Sequence, residues 1–158
     1  MLAATAIAAV VACASPPHPA PGPPPPAPEL SRAQRQREAV VSAAEGVVGR
    51  PYRRGASGPA NFDCSGLVAW SFAHAGIDGL PRKAADLERA SRPIALASLE
   101  PGDLLFFRID GRKTSHVAIY VGERSFVHAP SRGKRVERVD FDHVYWGPRL
   151  ARAGRILD

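Results

Sequence analysis

Residues 15–28 hold nine of the chain's sixteen prolines. Proline lacks the amide N–H and fixes φ, so such a run can enter neither a helix interior nor the middle of a sheet. It favours extended polyproline II, and at about 3.1 Å per residue it reaches roughly 45–50 Å. Any packed core must therefore be built from the residues C-terminal to it. The 158 residues divide into an apolar leader at 1–13, a Pro-rich linker at 14–30 and a domain at 31–158. With 45% hydrophobic residues in the chain, the last part is long enough to bury a core of its own.

The leader, Met1 to Ala12, is almost wholly apolar. It is shorter than the roughly 20 residues that span a bilayer, and it fits the apolar region of an export signal. Val10-Val11-Ala12-Cys13 resembles the bacterial lipobox, although no Lys or Arg precedes the run. The resemblance implies that Cys13 is acylated and becomes the mature N-terminus. The expectation is a lipid-anchored envelope protein. Ala14 after Cys13 supplies no Asp-type retention signal, which directs the expectation to the outer membrane, facing the periplasm. All 21 Lys and Arg fall from Arg32 onward and the net charge is +6. That surface suits an anionic partner. No basic run is interleaved with aromatics and no zinc-finger or helix-turn-helix pattern is present, so nucleic acid is not expected as a partner.

Within the domain, Ser31 can cap a helix over about 32–48 whose one face carries Val40, Ala43, Ala44, Val47 and Val48. Asp63 can cap a second, with Leu67, Val68, Trp70 and Phe72 carrying it to about Ala75 and Gly76 ending it. A short third helix is predicted at 83–91. Strands are predicted at 104–108, 115–121 and 125–129, with others at about 135–139 and 149–157, and Asp110-Gly111 reads as a hairpin turn. Helices first and an antiparallel meander after them make the fold class α+β.

Cys64 then falls in the first turn of the second helix. Unpaired amides and the positive end of the helix dipole there favour a thiolate. A lone cysteine is more often a buried, inert hydrophobe, so its partners decide. On the 115–121 strand His116, Ala118 and Tyr120 share one face, and Val117, Ile119 and Val121 the other. Phe126 and His128 share a face of the next strand. If the cysteine helix packs across the histidine face, Cys64, His116 and His128 line up as a thiol, a base and a group that orients the base. One Cys and two His at these spacings match no common zinc site, and no metal or cofactor is expected.

Asp63-Cys64-Ser65-Gly66-Leu67-Val68, Pro101-Gly102-Asp103-Leu104, Ser115-His116-Val117-Ala118-Ile119-Tyr120-Val121-Gly122 and Val127-His128-Ala129 occur in that order. Together they resemble the NlpC family of bacterial cell-wall cysteine peptidases (the NlpC/p-sixty domain), over about residues 31–157. The resemblance implies a papain-like α+β domain with helices packed on a central antiparallel sheet. It implies hydrolysis of peptidoglycan stem peptides, commonly between D-glutamate and the diamino acid; separately, a monomer is expected. By position in the motifs, Cys64 is the nucleophile, His116 the base and His128 the residue that orients it. Tyr52 matches a tyrosine that shapes the site and assists the oxyanion, and Asp63 and Ser65 match positions that line the groove. Arg54-Gly55-Ala56 and Lys83-Ala84 depart from the family's usual residues, which bears on substrate preference.

The implied mechanism is attack by a Cys64 thiolate paired with protonated His116. Alternatives are a muramoyl-alanine amidase, an acyl transferase with the same three residues, or a wall-binding lipoprotein that no longer turns over. With Cys13 acylated, Cys64 is left without a disulfide partner in an oxidising compartment. Mass spectrometry of the non-reduced, membrane-extracted protein is expected to show a lipid on Cys13. A Cys13–Cys64 bridge would contradict the assignment of both cysteines.

Overall fold

The computed structural model describes residues 29–157. The leader, the lipobox cysteine and the proline linker lie outside the described residues. Three helices precede the sheet: α1 (Arg32–Glu45), α2 (Cys64–His74) and α3 (Ala84–Ala90). The strands are β1 (Arg92–Ile94), β2 (Leu104–Phe107), β3 (His116–Gly122), β4 (Ser125–His128), β5 (Glu137–Asp140) and β6 (Leu150–Arg155). They form one antiparallel sheet in the order β1-β6-β2-β3-β4-β5. The α+β expectation holds.

Local chemistry sets the helix starts. Ser31 Oγ accepts from the Gln34 amide at 3.1 Å, and Gln34 Oε1 accepts from the Ser31 amide at 2.7 Å, a reciprocal capping box. Helix α1 stops at Glu45 with Gly46 as its cap, three residues earlier than the apolar pattern suggests. Val48 is consequently 46% exposed, while Val40 and Ala44 are fully buried. Asp63 caps α2 by accepting from the Gly66 amide at 2.6 Å.

The sheet is buried on both faces. On one, Leu67, Val68 and Phe72 of α2 and Val40 of α1 pack with Phe106, Val117, Ile119 and Val127. On the other, Leu105, Phe107, Ala118, Phe126 and Ala153 pack beneath Trp146, from the segment between β5 and β6. Truncating a side chain such as Phe72 therefore removes a fully buried ring, a change of about 3–5 kcal/mol.

Two features differ from the sequence reading. Asp110-Gly111 lies inside a loop over residues 108–115, not in a tight two-residue hairpin. The tight hairpin is at the β3–β4 connection, where Glu123 and Arg124 both take positive φ (51° and 54°), as a two-residue turn matched to strand twist requires. The side chains of these two residues pair with Arg138 and Asp142 at the surface. Strand β1 was not expected from the sequence. It is three residues long and contains Pro93, which is tolerated because β1 is an edge strand.

The Pro101-Gly102-Asp103 turn has a structural task. Asp103 is fully buried, and its carboxylate accepts from Arg155 Nε (2.8 Å) and Nη2 (2.7 Å), from Arg37 Nη1 (3.3 Å) and from the Glu100 amide (2.7 Å). Arg37 belongs to α1 and Arg155 to β6, so one carboxylate ties the first helix to the last strand. Asp103→Ala leaves both guanidinium groups without their buried acceptor and is expected to cost about 3–5 kcal/mol of stability. Urea unfolding checks this, and a loss below about 1 kcal/mol would refute the assigned role.

Candidate active site

The site forms where α2 begins, because that helix end is held from three sides. Asp63 uses both carboxylate oxygens: Oδ1 accepts from the Gly66 amide, and Oδ2 accepts from the Gly55 amide at 2.7 Å. Arg82 reaches Asp63 Oδ1 and the Gly55 carbonyl, each at 3.4 Å. Ser65 is buried, and its hydroxyl donates to the Arg82 carbonyl at 2.7 Å. Gly66 is required by close approach: a Cβ there would lie 2.0 Å from the Ala56 carbonyl oxygen. Asp-Cys-Ser-Gly is thus the sequence of a clamped helix start. Asp63 and Ser65 bond to the loops at 55 and 82, with Asp63 adjoining the thiol and the Ser65 hydroxyl turned toward the 82 loop.

The thiol of Cys64 lies against the start of β3, where it meets the backbone N–H of Val117, the residue after His116. The amides of Cys64 and Ser65 also reach the sulfur, and both sit in the first helical turn, where no intrahelical acceptor exists. His116 Nε2 lies 2.8 Å from His128 Nδ1, and His128 Nε2 lies 3.2 Å from Glu137 Oε1. The register pairs Ile119 with Val127 and Tyr120 with Phe126, so the two histidines are diagonal neighbours on one face. Tyr52 is half-buried near the same point, where burial, then Cys64 and Asp63, push its hydroxyl above the ordinary value, against Arg54 and Arg132.

One expectation is corrected. Helix α2 does not pack across the histidine face. It packs on the Val117 and Ile119 face, where Leu67, Val68 and Phe72 find an apolar surface. The histidines project among Phe107, Phe126 and Trp146 on the opposite side. The thiol approaches at the end of β3, where the two faces meet.

Trp146 is the residue that sequence reasoning missed. Its ring stacks on His116 (centroids 4.9 Å, planes 27° apart) and meets His128 edge-on at 4.5 Å. The only signal was an aromatic pair, Tyr145-Trp146, in a stretch with no periodicity. Beside it a cavity of about 550 Å³ is lined by His116, Glu137, His143, Asp110, Lys134 and Tyr145, among others. Among the described residues no group of three or more His, Cys, Asp or Glu side chains is arranged to hold a metal ion.

Burial acts against the charged forms of these groups. It pushes the Cys64 thiol above its ordinary value, with Asp63 adding to the effect, and the amides of Val117, Ser65 and Cys64 only partly oppose it. Burial lowers His116 to about 3. His128 falls to about 2, through burial and then the proximity of His116 and His143. Burial therefore favours the uncharged forms of the thiol and of both imidazoles, against the thiolate that helix position favours.

The fold is a papain-like α+β domain, with a cysteine at a helix start that reaches the backbone amide next to a histidine at a strand start. The model of the NlpC/P60 family matches residues 49–155, and the chain belongs to that family. It is 45% identical over 106 residues to a "Probable endopeptidase" of Mycobacterium tuberculosis, covering 67% of this chain and 26% of that protein. It is 37% identical over 114 residues to a murein DD-endopeptidase of Escherichia coli (70% and 42%). It is 40% identical over 122 residues to a bifunctional muramidase/DL-endopeptidase of Bacillus subtilis (75% and 36%). The chain thus spans between about a quarter and two fifths of the length of these relatives. Among solved structures it is similar to an NlpC/P60 family protein of Bacillus cereus, with a TM-score of 0.73 and 27% identity over 77% of this chain and 40% of that one.

The two histidines couple stability to pH. Unfolded histidine takes up a proton near 6.5, whereas folded His116 and His128 resist until about 3 and about 2. The unfolded state binds more protons in that window, so their contribution is whole above pH 6.5 and is lost as pH falls toward 3. Urea midpoints of the wild type are expected to drop between about pH 7.5 and about pH 4.5, and His128→Gln to flatten the drop. An equal drop in both proteins would show that other groups carry the acid sensitivity.

Proposed function

We propose that the chain is a cysteine endopeptidase acting on the stem peptides of bacterial peptidoglycan. The observation that carries this reading is the Cys64 sulfur at the start of α2 on the backbone amide of Val117, next to His116, which itself lies 2.8 Å from His128. The endopeptidase names of the relatives support the reaction class. Exposed Arg54 and Arg132 near Tyr52 give the cleft a positive side suited to stem-peptide carboxylates.

Burial favours the uncharged thiol and imidazole, so in this mechanism attack and proton transfer go together. His116 Nε2 is engaged by His128, which leaves Nδ1 to accept the thiol proton. Sulfur adds to the amide carbon, and the oxyanion is met by the Cys64 amide and the Tyr52 hydroxyl. The C–N bond breaks as His116 returns its proton to the leaving amine, giving a thioester. Water then loses a proton to His116, adds to the thioester carbon, and the C–S bond breaks to restore the thiol. The cavity beside His116 receives the leaving-amine side of the peptide, and the Tyr52–Asp63 side holds the acyl portion.

The bond we assign is that between D-glutamate and the diamino acid, supported by the DL-endopeptidase relative. The DD-endopeptidase relative makes the D,D cross-bridge the competing bond. A lipid on Cys13 and the proline spacer would localise the domain at the outer membrane, within reach of the wall, as a monomer.

Purified full-length chain, with Cys64→Ala beside it, digests defined muropeptides, and mass spectrometry reads the products. Cleavage at the glutamyl bond in wild type alone is the expected result. Products at the D,D bond would reassign the substrate, and cleavage by Cys64→Ala would remove the nucleophile assignment. His116→Ala is expected to lower kcat by about 10²–10⁴-fold and His128→Ala by less. The reverse order would exchange their roles.

A further inference from the structure

A neutral imidazole holds one proton on two nitrogens, so a pair of hydrogen-bonded histidines has a direction. Two N–H groups cannot face each other across 2.8 Å, nor can two lone pairs. The His116–His128 contact joins Nε2 of the first to Nδ1 of the second. Only two arrangements satisfy it. In one, His116 carries its proton on Nε2 and His128 on its own Nε2. In the other, His128 carries its proton on Nδ1 and His116 on its Nδ1. The second arrangement leaves His116 without a lone pair at Nδ1, and the base is silent.

Both rings are almost completely buried, so solvent does not choose between the arrangements. The group that can is the next one along. Glu137 Oε1 lies 3.2 Å from His128 Nε2, and a carboxylate there accepts only from an N–H. That requirement puts the His128 proton on Nε2, makes His128 Nδ1 the acceptor, and puts the His116 proton on Nε2. The register delivers the carboxylate: Glu137 is the residue paired with His128 across β4 and β5.

We propose that Glu137 is a positioning residue that sets the direction of this hydrogen-bond chain and so keeps His116 Nδ1 free to take the thiol proton. The inference rests on the cysteine-peptidase reading for its consequence in turnover, but the direction of the chain exists whether or not the protein cleaves peptide. Glu137 also lines the cavity beside His116, together with Lys134 and His143. A role in substrate contact would therefore show in KM, and a role through the histidines in kcat.

The test uses the full-length chain labelled with ¹⁵N, near neutral pH. Long-range ¹H–¹⁵N spectra are expected to show His116 and His128 both protonated at Nε2 and bare at Nδ1. In Glu137→Ala the two resonance sets are expected to shift toward mixed tautomers, and alkylation of Cys64 by iodoacetamide to slow in step. On muropeptides, kcat of Glu137→Ala is expected to fall by about tenfold or more with KM changed less than about twofold, and Glu137→Gln, which keeps an acceptor oxygen, to recover most of it. Wild-type His128 protonated at Nδ1 would overturn the proposal. So would Glu137→Ala with unchanged tautomers and alkylation rate, or a loss confined to KM. If wild type cleaves no muropeptide, the endopeptidase reading fails on its own, and the spectra and alkylation rates still decide the role of Glu137.

Discussion

Strand β3 carries a packed layer on each face, and this fixes the location of the site. Val117 and Ile119 serve the helix-covered core, while Ala118 serves the layer beneath Trp146. A side chain in the middle of β3 is committed to one core or the other. Only at the strand's first residues can a group from one face meet a group from the other, and His116 is the first residue of β3. Helix α2 is laid so that its own first residue arrives at the same place. The site is the meeting point of two element ends, each fixed by the packing behind it.

The same packing sets the electrostatics. Enclosing the two imidazoles among Phe107, Phe126 and Trp146 removes the water that would stabilise their charged forms, and burial against the helix-covered core does the same for the thiol. Helix position alone would favour a thiolate, but desolvation outweighs the amides that reach the sulfur. In the mechanism we propose, an uncharged pair depends on hydrogen-bond direction rather than on a standing ion pair, which gives a carboxylate two hydrogen bonds away from His116 a bearing on the chemistry.

Much of this was legible in the chain. Ser31 and Asp63 cap the helices they were expected to cap, because capping is a matter of a few residues' backbone and side-chain geometry. His116 and His128 lie on one face because strand alternation is a local property. Pro101-Gly102-Asp103 stood out as a motif, but its purpose did not. The carboxylate's partners are 66 and 52 residues away, and nothing local to the turn announces Arg37 or Arg155. Trp146 was invisible for a related reason: it comes from a segment without periodicity, and its ring matters only because of where that segment crosses the sheet.

The sequence by itself determined the three helices and most of the strands, the capped helix starts, the pairing of the histidines on a face and the position of the cysteine at a helix start. All of these arise from interactions within a few residues or from a fixed repeat along the strand. The tertiary structure alone decided which face of β3 the helix covers, that the thiol reaches the backbone beside His116 at the strand's start, that burial disfavours the charged forms of the site's groups, and that Glu137 continues the chain. Each of these depends on burial or on a partner distant in sequence. Desolvation and long-range contact come from the packed whole, and no short stretch of the chain encodes them.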